Sequence, residues 1–209
     1  MRKYESQVRT KYNSDWRKQY NTPTGQGDAD YQLLIDFITE FKPKCIVEYG
    51  SGFSTRIIQK TINDLELDTK FFSFEDNKYY YDFIKKNIEC TEAMQLCPME
   101  KVGSWKGNDK LARYYHSYDG MEDVDFVIID GPDVGRYNIR AVINVVDLHE
   151  RFSNNKINFY LDDLLNIDNF INFIELYTNY DINTNNYNIE TNFFNSSDYT
   201  EKRMGKYRR

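Results

Sequence analysis

CIVEYGSG, residues 45–52, decides the fold of this chain. The stretch begins with three apolar residues, which are typical of a buried strand, and ends in a turn that contains Gly50 and Gly52. Apolar residues then recur at helical spacing, at Ile57, Ile58, Ile62 and Leu65. A buried strand that passes through a glycine turn into a helix is the opening unit of a parallel α/β sheet.

The same alternation of strand and helix continues along the chain. Further strands are predicted at 71–74, 93–97, 124–129 and 157–161, and helical faces at 34–41, 57–65, 80–88, 139–146 and 167–174. Alternating apolar positions after Tyr177 predict a C-terminal antiparallel hairpin. Because the strands are nearly continuous apolar runs, both faces of the sheet are expected to be buried. We therefore predict a doubly wound α/β fold, with a mostly parallel sheet and helices on both faces, over residues 30–209 after an N-terminal arm or lid at 1–29.

Composition excludes several classes of protein. A length of 209 residues suits one domain, and the net charge of −6 argues against a nucleic-acid-binding protein. No apolar run approaches 18 residues, and the polar first twenty residues predict neither a secretory signal nor a membrane span. The three cysteines, Cys45, Cys90 and Cys97, form no C-x-x-C pair, which favours a reducing, cytoplasmic compartment. The bias towards Asn, Tyr and Lys suggests an AT-rich genome of viral or bacterial origin.

Carboxylates follow the predicted strands. Ligands of a doubly wound sheet bind beyond the carboxyl ends of its strands, so these positions outline the candidate site. The acids there are Glu48, Glu75, Asp76, Glu100, Asp130, Asp133, Asp162 and Asp163.

The glycine turn limits the kind of cofactor. Gly50 and Gly52 would let a ligand approach the main chain, and an acid about 25 residues later, Glu75, is placed to bind ribose hydroxyls. A dinucleotide-binding turn would carry a third glycine where this chain has Thr55, and no phosphate-binding G-x-x-x-x-G-K-[ST] loop occurs. Glu48 would repel a pyrophosphate but suits a ligand amino group. These features favour S-adenosylmethionine, which carries an amino acid, a ribose and an adenine but no phosphate.

Val47–Gly52 followed by Ser73–Asn77 resembles motifs I and II of the class I S-adenosylmethionine-dependent methyltransferases. The resemblance covers about residues 44–165 and implies a Rossmann-like sheet. It implies that the main chain at Gly50 and Gly52 faces the methionine part of the cofactor and that Glu75 binds the ribose. Met99, Glu100 or Trp105 would border the adenine, and Ser54 stands where the family often has a glycine. The predicted cofactor-binding residues are Glu48, Gly50, Gly52, Ser54, Thr55, Glu75, Asp76, Trp105 and Asp130.

DFVIIDGP at residues 125–132 and YLDD at 160–163 resemble the metal-dependent O-methyltransferases of the catechol, macrocin and glucuronoxylan type. In that branch, an acid after the fourth strand and a pair after the fifth hold a divalent cation, and these positions fall on Asp130, Asp162 and Asp163. Carboxylate oxygens suit Mg²⁺ or Mn²⁺. Such a cation lowers the pKa of a bound substrate hydroxyl. The alternative is that Asp162 and Asp163 cap the next helix.

Asp133, Asp130 and His116 are the candidate catalytic residues. Asp133 lies where the catechol enzymes have a lysine base, although an aspartate beside Pro132 is also typical of a turn. His116, in the loop RYYHSYDG, is a second candidate base.

Oxygen is the expected methyl acceptor because the chain lacks the [ND]-P-P-[YF] motif of N-methyltransferases. We predict a sugar, glycan or other small-molecule acceptor. Two alternatives stay open: a nicotinamide-dependent sugar oxidoreductase or epimerase, and a non-catalytic cofactor-binding module. The sequence leaves the oligomeric state open.

Overall fold

The computed structural model describes residues 28–89, 91–105, 109–132, 141–152 and 157–161, together with four short strand segments towards the C-terminus. Four helices are described: α1 Asp28–Phe41, α2 Phe53–Asp64, α3 Lys78–Asn87 and α4 Val142–Arg151. The first seven strands are β1 Cys45–Tyr49, β2 Lys70–Glu75, β3 Met94–Leu96, β4 Met99–Trp105, β5 Asp109–Tyr114, β6 Val124–Ile129 and β7 Asn158–Leu161. The short C-terminal strands are β8 Asp181–Ile182, β9 Tyr187–Asn188, β10 Phe193–Phe194 and β11 Met204–Arg208.

The main sheet runs in the order β3-β2-β1-β6-β7-β11-β8. The first five strands in this order, β3, β2, β1, β6 and β7, are parallel to one another. β11 is antiparallel to both β7 and β8. β9 and β10 pair as a separate antiparallel ribbon. The order reverses at β1, which pairs with β2 on one side and with β6 on the other. The predicted doubly wound sheet with antiparallel C-terminal pairing is confirmed.

Alternate residues of the central strands pack against different layers. Ile46 of β1 and Ile128 of β6 face a core formed with α1 and α2. Val47 and Val127 face the opposite core, which includes α4 and the last residue of β5. All five residues of β1 are buried, as a strand sandwiched between two layers requires. Helices therefore lie on both faces of the sheet.

The connection between β3 and β6 differs from the prediction. The sequence predicts no strand between 97 and 124, but β4 and β5 form an antiparallel hairpin there. Tyr115 N donates to Pro98 O at 2.8 Å and closes the base of this hairpin. The hairpin brings Tyr114, its last residue, to the carboxyl edge of the sheet.

Two predicted segments lie outside the described residues, namely most of the N-terminal arm and the helix at 167–174. The domain boundary near residue 30 stays a prediction. Within the part of the chain that is described, no helix is both long enough and apolar enough to span a bilayer.

Candidate functional site

The carboxyl ends of four parallel strands are joined by main-chain hydrogen bonds. Gly50 N donates to Phe74 O at 2.9 Å, Asp130 N donates to Tyr49 O at 2.8 Å, and Cys97 N donates to Glu75 O at 2.9 Å. These bonds bring the ends of β1, β2, β3 and β6 to one edge of the sheet. Glu75, Asp76 and Asp130, which the sequence places directly after strands, therefore share this edge.

Gly50 is required by the packing of two strand ends. Its φ is +91°, a conformation that side chains with a Cβ rarely adopt. A Cβ at this position would lie 2.5 Å from Gly131 N and 2.7 Å from Asp130 C. The turn after β1 therefore packs directly on the turn after β6. This contact explains Gly50 without any ligand, so its predicted contact with a cofactor stays a prediction.

Gly52, in contrast, has space around it. Its φ of −168° is extended backbone, and a Cβ would lie 3.8 Å from the nearest atoms, Ser54 Oγ and Tyr80 Oη. Gly52 N donates to Thr55 Oγ1 at 2.9 Å, which satisfies a main-chain donor where α2 begins. At Gly52 a ligand could therefore approach the main chain, as the sequence predicts.

Glu48 is fully buried, and its carboxylate is surrounded by hydroxyl groups. Ser54 and Thr55 each donate to it at 2.6 Å, and Ser73 donates at 2.5 Å. Burial raises the pKa of Glu48 to about 6, although the three hydrogen bonds oppose that shift. Glu48 therefore faces α2 and β2 in this structure, where it fixes the start of α2, and its predicted contact with a ligand amino group stays a prediction.

Glu75, the last residue of β2, is 5% exposed. Asn77 N donates to its carboxylate at 2.8 Å, and Ser51 N makes a second main-chain hydrogen bond to it. Burial, aided by the neighbouring Asp76 carboxylate and opposed by these two hydrogen bonds, raises the pKa of Glu75 to about 7. Two main-chain donors thus fix this carboxylate beside the Ser51-Gly52 turn.

Sequence reasoning assigned no contact with the strand-end acids to two residues here, Tyr114 and Asn144. The hydroxyl of Tyr114 donates to Asp76 Oδ1 at 3.1 Å, and the side chain of Asn144 binds the Tyr114 main chain through both its oxygen and its nitrogen. Both residues depend on the β4–β5 hairpin, which the sequence did not predict. The chain carries 18 tyrosines, so no local signal singles out Tyr114.

His116 lies among core side chains on the same face of the sheet as Tyr49 and Phe74. Its ring stacks on Phe74 with the centroids 3.8 Å apart, and Nε2 lies 3.2 Å from Tyr49 Oη. Nδ1 lies 2.8 Å from the carbonyl of Ser117, so Nδ1 carries the proton and Nε2 accepts from Tyr49. Burial lowers the pKa of His116. His116 contacts core side chains and lines a cavity of about 530 Å³, which Arg151 also lines and to which Glu75 and Asp76 do not contribute. This placement gives no support to His116 as the base.

The remaining predicted residues are placed away from the edge or lie outside the described part of the chain. Trp105 ends β4 opposite Asp109, at the far tip of the hairpin from Met99, and is therefore about 20 Å from it along the strand. We do not include Trp105 in the candidate site. Asp133, Asp162 and Asp163 lie outside the described residues.

The predicted cation site is represented here by one of its three acids, Asp130. Among the described residues, no group of three or more His, Cys, Asp or Glu side chains could hold a metal ion. Since the other two acids, Asp162 and Asp163, are not described, the divalent cation stays a prediction.

Comparison with known proteins identifies the fold. No protein-family model matches the chain, and no curated protein sequence matches it significantly. Among solved structures, a "putative caffeoyl-CoA O-methyltransferase" from Staphylococcus aureus matches at 11% identity with a TM-score of 0.53, over 99% of this chain and 98% of that one. A "putative O-methyltransferase" from Klebsiella pneumoniae matches at 11% identity over 91% and 84% of the two chains, with a TM-score of 0.49. A methyltransferase from Podospora anserina, solved with S-adenosylhomocysteine bound, matches at 12% identity over 97% and 84%, with a TM-score of 0.48. The first of these likenesses shows that the chain has the Rossmann-like fold of that methyltransferase.

Proposed function

We propose that this protein is an S-adenosylmethionine-dependent methyltransferase that acts on a hydroxyl group of a sugar, glycan or other small acceptor. The observation that carries the proposal is the Glu75 carboxylate. It is fixed at the end of β2 by two main-chain donors, beside the open Gly52 turn. A carboxylate in that position can accept two hydrogen bonds from the hydroxyls of a ribose.

The chemistry of the edge favours this cofactor over a dinucleotide. The described strand ends contribute the acidic side chains of Glu75, Asp76 and Asp130 to this edge, whereas Glu48 is buried against α2. A pyrophosphate would meet like charge there, whereas ribose hydroxyls and a positively charged amino group would meet hydrogen-bond acceptors. This set of acceptors therefore fits S-adenosylmethionine.

The proposed reaction is a displacement at the methyl carbon. The acceptor oxygen forms a bond to that carbon while the bond from carbon to the sulfonium sulfur breaks, and the hydroxyl proton passes to a base. We propose Asp133 as that base. Asp130, with Asp162 and Asp163, would hold a Mg²⁺ or Mn²⁺ ion, which when bound would lower the pKa of the acceptor hydroxyl.

Oxygen is preferred over nitrogen as the acceptor because the chain has no [ND]-P-P-[YF] motif. The structure that matches with a TM-score of 0.53 carries the name of an O-methyltransferase, but at 11% identity that likeness extends to the fold alone. Acceptor class is therefore part of the proposal and rests on the residues of this chain.

Titration calorimetry with S-adenosylhomocysteine tests the role of Glu75. Loss of two charge-assisted hydrogen bonds, each worth about 1.5–3 kcal/mol, should weaken binding at least tenfold in Glu75→Ala. Glu122→Ala is the matched control, since Glu122 is an exposed acid that pairs with Lys70 at the opposite end of β2. Equal affinity in Glu75→Ala and wild type would contradict the assignment.

A further inference from the structure

Tyr114 brings a phenol hydroxyl to the acidic edge from a part of the fold outside the parallel sheet. Its side chain is 2% exposed, and its hydroxyl lies 3.1 Å from Asp76 Oδ1 at the end of β2. The same hydroxyl would lie 2.6 Å from a Cβ on Gly131, so it also touches the turn after β6. One hydroxyl thus reaches the ends of two different strands.

The main chain of Tyr114 is held in place by α4. Asn144 is fully buried, and its side-chain oxygen accepts from Tyr114 N at 2.8 Å. Its side-chain nitrogen donates to Tyr114 O, also at 2.8 Å. This pair of hydrogen bonds engages both main-chain polar groups of Tyr114 and so fixes the position from which its side chain enters the core. The position of the hydroxyl is therefore set by α4.

Asp76 lies beside several other ionisable groups. Glu75 precedes it, and the buried Cys97 thiol after β3 and the Tyr114 phenol on β5 also face it, while Glu48 on β1 adds to the charge around Glu75. Neighbouring carboxylates disfavour each other's ionisation, and a hydrogen bond donated to the charged form offsets that effect. The Tyr114 hydroxyl is such a donor.

We propose that Tyr114 is a positioning residue of the cofactor site, whose hydroxyl holds the Asp76 carboxylate beside Glu75 and joins the end of β2 to the turn after β6. The inference rests on the proposed function for its meaning in cofactor binding, but the contact itself is a property of the free protein. A tyrosine that merely fills the core would serve equally well as phenylalanine. The positioning role and the core-filling role therefore differ in whether loss of the Tyr114 hydroxyl changes the pKa values of Glu75 and Asp76.

The test compares Tyr114→Phe with Tyr118→Phe. Tyr118, four residues after Tyr114, is a matched control because its hydroxyl also donates to an aspartate, Asp147 Oδ2, at 3.1 Å. Carboxyl groups of the free protein are titrated by ¹³C NMR. Loss of one hydrogen bond to the charged form should raise the apparent pKa of the Glu75–Asp76 pair by about one unit in Tyr114→Phe. Tyr118→Phe should leave that pair unchanged.

The second readout is the pH profile of S-adenosylhomocysteine binding by titration calorimetry. If binding requires ionised carboxylates, Tyr114→Phe should bind about three- to tenfold more weakly at pH 7 and regain most of the difference at pH 9. Equal weakening at every pH, or a carboxyl titration identical to that of wild type, would overturn the proposal. A wild type that binds no S-adenosylhomocysteine would remove the proposed function, while the NMR titration would still decide whether Tyr114 holds Asp76.

Asp76→Asn supplies an independent variant if Tyr114→Phe fails to fold. Removing the Asp76 charge should lower the pKa of Glu75, which is the opposite direction to the effect of Tyr114→Phe. If Tyr114→Phe does fold, adding it to Asp76→Asn should shift the pKa of Glu75 no further, because the carboxylate charge that the Tyr114 hydroxyl stabilises is already absent. An unchanged Glu75 titration in Asp76→Asn would overturn the proposal.

Discussion

Replacing Gly50 with alanine should destabilise the protein far more than the same change at Gly52. At φ +91° a non-glycine residue costs about 1–3 kcal/mol in backbone strain. The new Cβ would also lie 2.5 Å from Gly131 N and 2.7 Å from Asp130 C, and main-chain atoms do not move aside without further cost, about 1–3 kcal/mol for overpacking. The expected loss for Gly50→Ala is therefore about 3 kcal/mol or more, or roughly 6–12 °C in Tm at this chain length.

Gly52→Ala is the matched control. Its backbone is extended and its Cβ would make ordinary contacts at 3.8 Å, so its stability should stay within about 1 kcal/mol of wild type. Thermal unfolding followed by circular dichroism measures both variants. A Tm for Gly50→Ala within about 2 °C of wild type, or an equal loss for Gly52→Ala, would refute the packing argument. Gly52→Val should fold but lose affinity for S-adenosylhomocysteine, because its branched side chain would occupy the space beside the turn.

Four further results are expected. The folded-state pKa values of Glu48 and Glu75 are raised to about 6 and about 7. The stability that these two groups contribute is therefore present below about pH 4.5 and is lost as the pH rises through 6–7. Urea unfolding should accordingly give a lower free energy of unfolding at pH 8 than at pH 5. Affinity for S-adenosylhomocysteine, measured by calorimetry, should increase as the pH rises through 7 and Glu75 ionises. Glu75→Gln should bind weakly, with an affinity that does not change over this pH range. A pH dependence that persists in Glu75→Gln would mean that another group causes it. Ser73→Ala removes a donor to the buried Glu48 carboxylate and should cost about 1–3 kcal/mol at pH 8 but less at pH 5, and an equal cost at both pH values would speak against an ionised Glu48. EDTA should stop methyl transfer without affecting cofactor binding, as should Asp162→Ala, and full activity in EDTA would exclude a role for the cation.

The parallel core of the fold could be predicted because its signals are local. VDFVII at 124–129 is an apolar run bounded by turn residues and forms a strand with the expected bounds. The apolar residues at 45–47 likewise predict a strand, which in the structure continues to Tyr49. Helical spacing in 57–65 likewise predicts α2. Burial on both faces leaves little room for polar residues, so the sequence itself records the parallel arrangement.

The hairpin of β4 and β5 could not be predicted in the same way. MEKVGSW at 99–105 mixes charged and apolar residues without a regular alternation, and its partner strand β5 packs on α4, which is distant in sequence. Tyr114 and Asn144 meet across 30 residues of chain, and no local pattern predicts such a pair. The missed part of the site is therefore the part that depends on tertiary contacts.

The chemistry at strand ends was predicted only in part. Glu75 ends β2 at the expected place, since the acid directly follows the apolar run. Glu48 also lies near the end of its strand as expected, but alternation along β1 turns its side chain towards α2, where three hydroxyl groups surround it, and its contact with a ligand stays a prediction. Finding an acid near the end of a strand in the sequence therefore does not show towards which face of the sheet its carboxylate points.

Titration calorimetry of the wild-type protein with S-adenosylhomocysteine, and separately with NAD⁺, tests the central claim most directly. The acidic edge around Glu75 predicts saturable binding of one S-adenosylhomocysteine molecule and no binding of NAD⁺, whose pyrophosphate would meet the carboxylates of Glu75, Asp76 and Asp130. Saturable binding of NAD⁺ without binding of S-adenosylhomocysteine would contradict the account and favour an oxidoreductase.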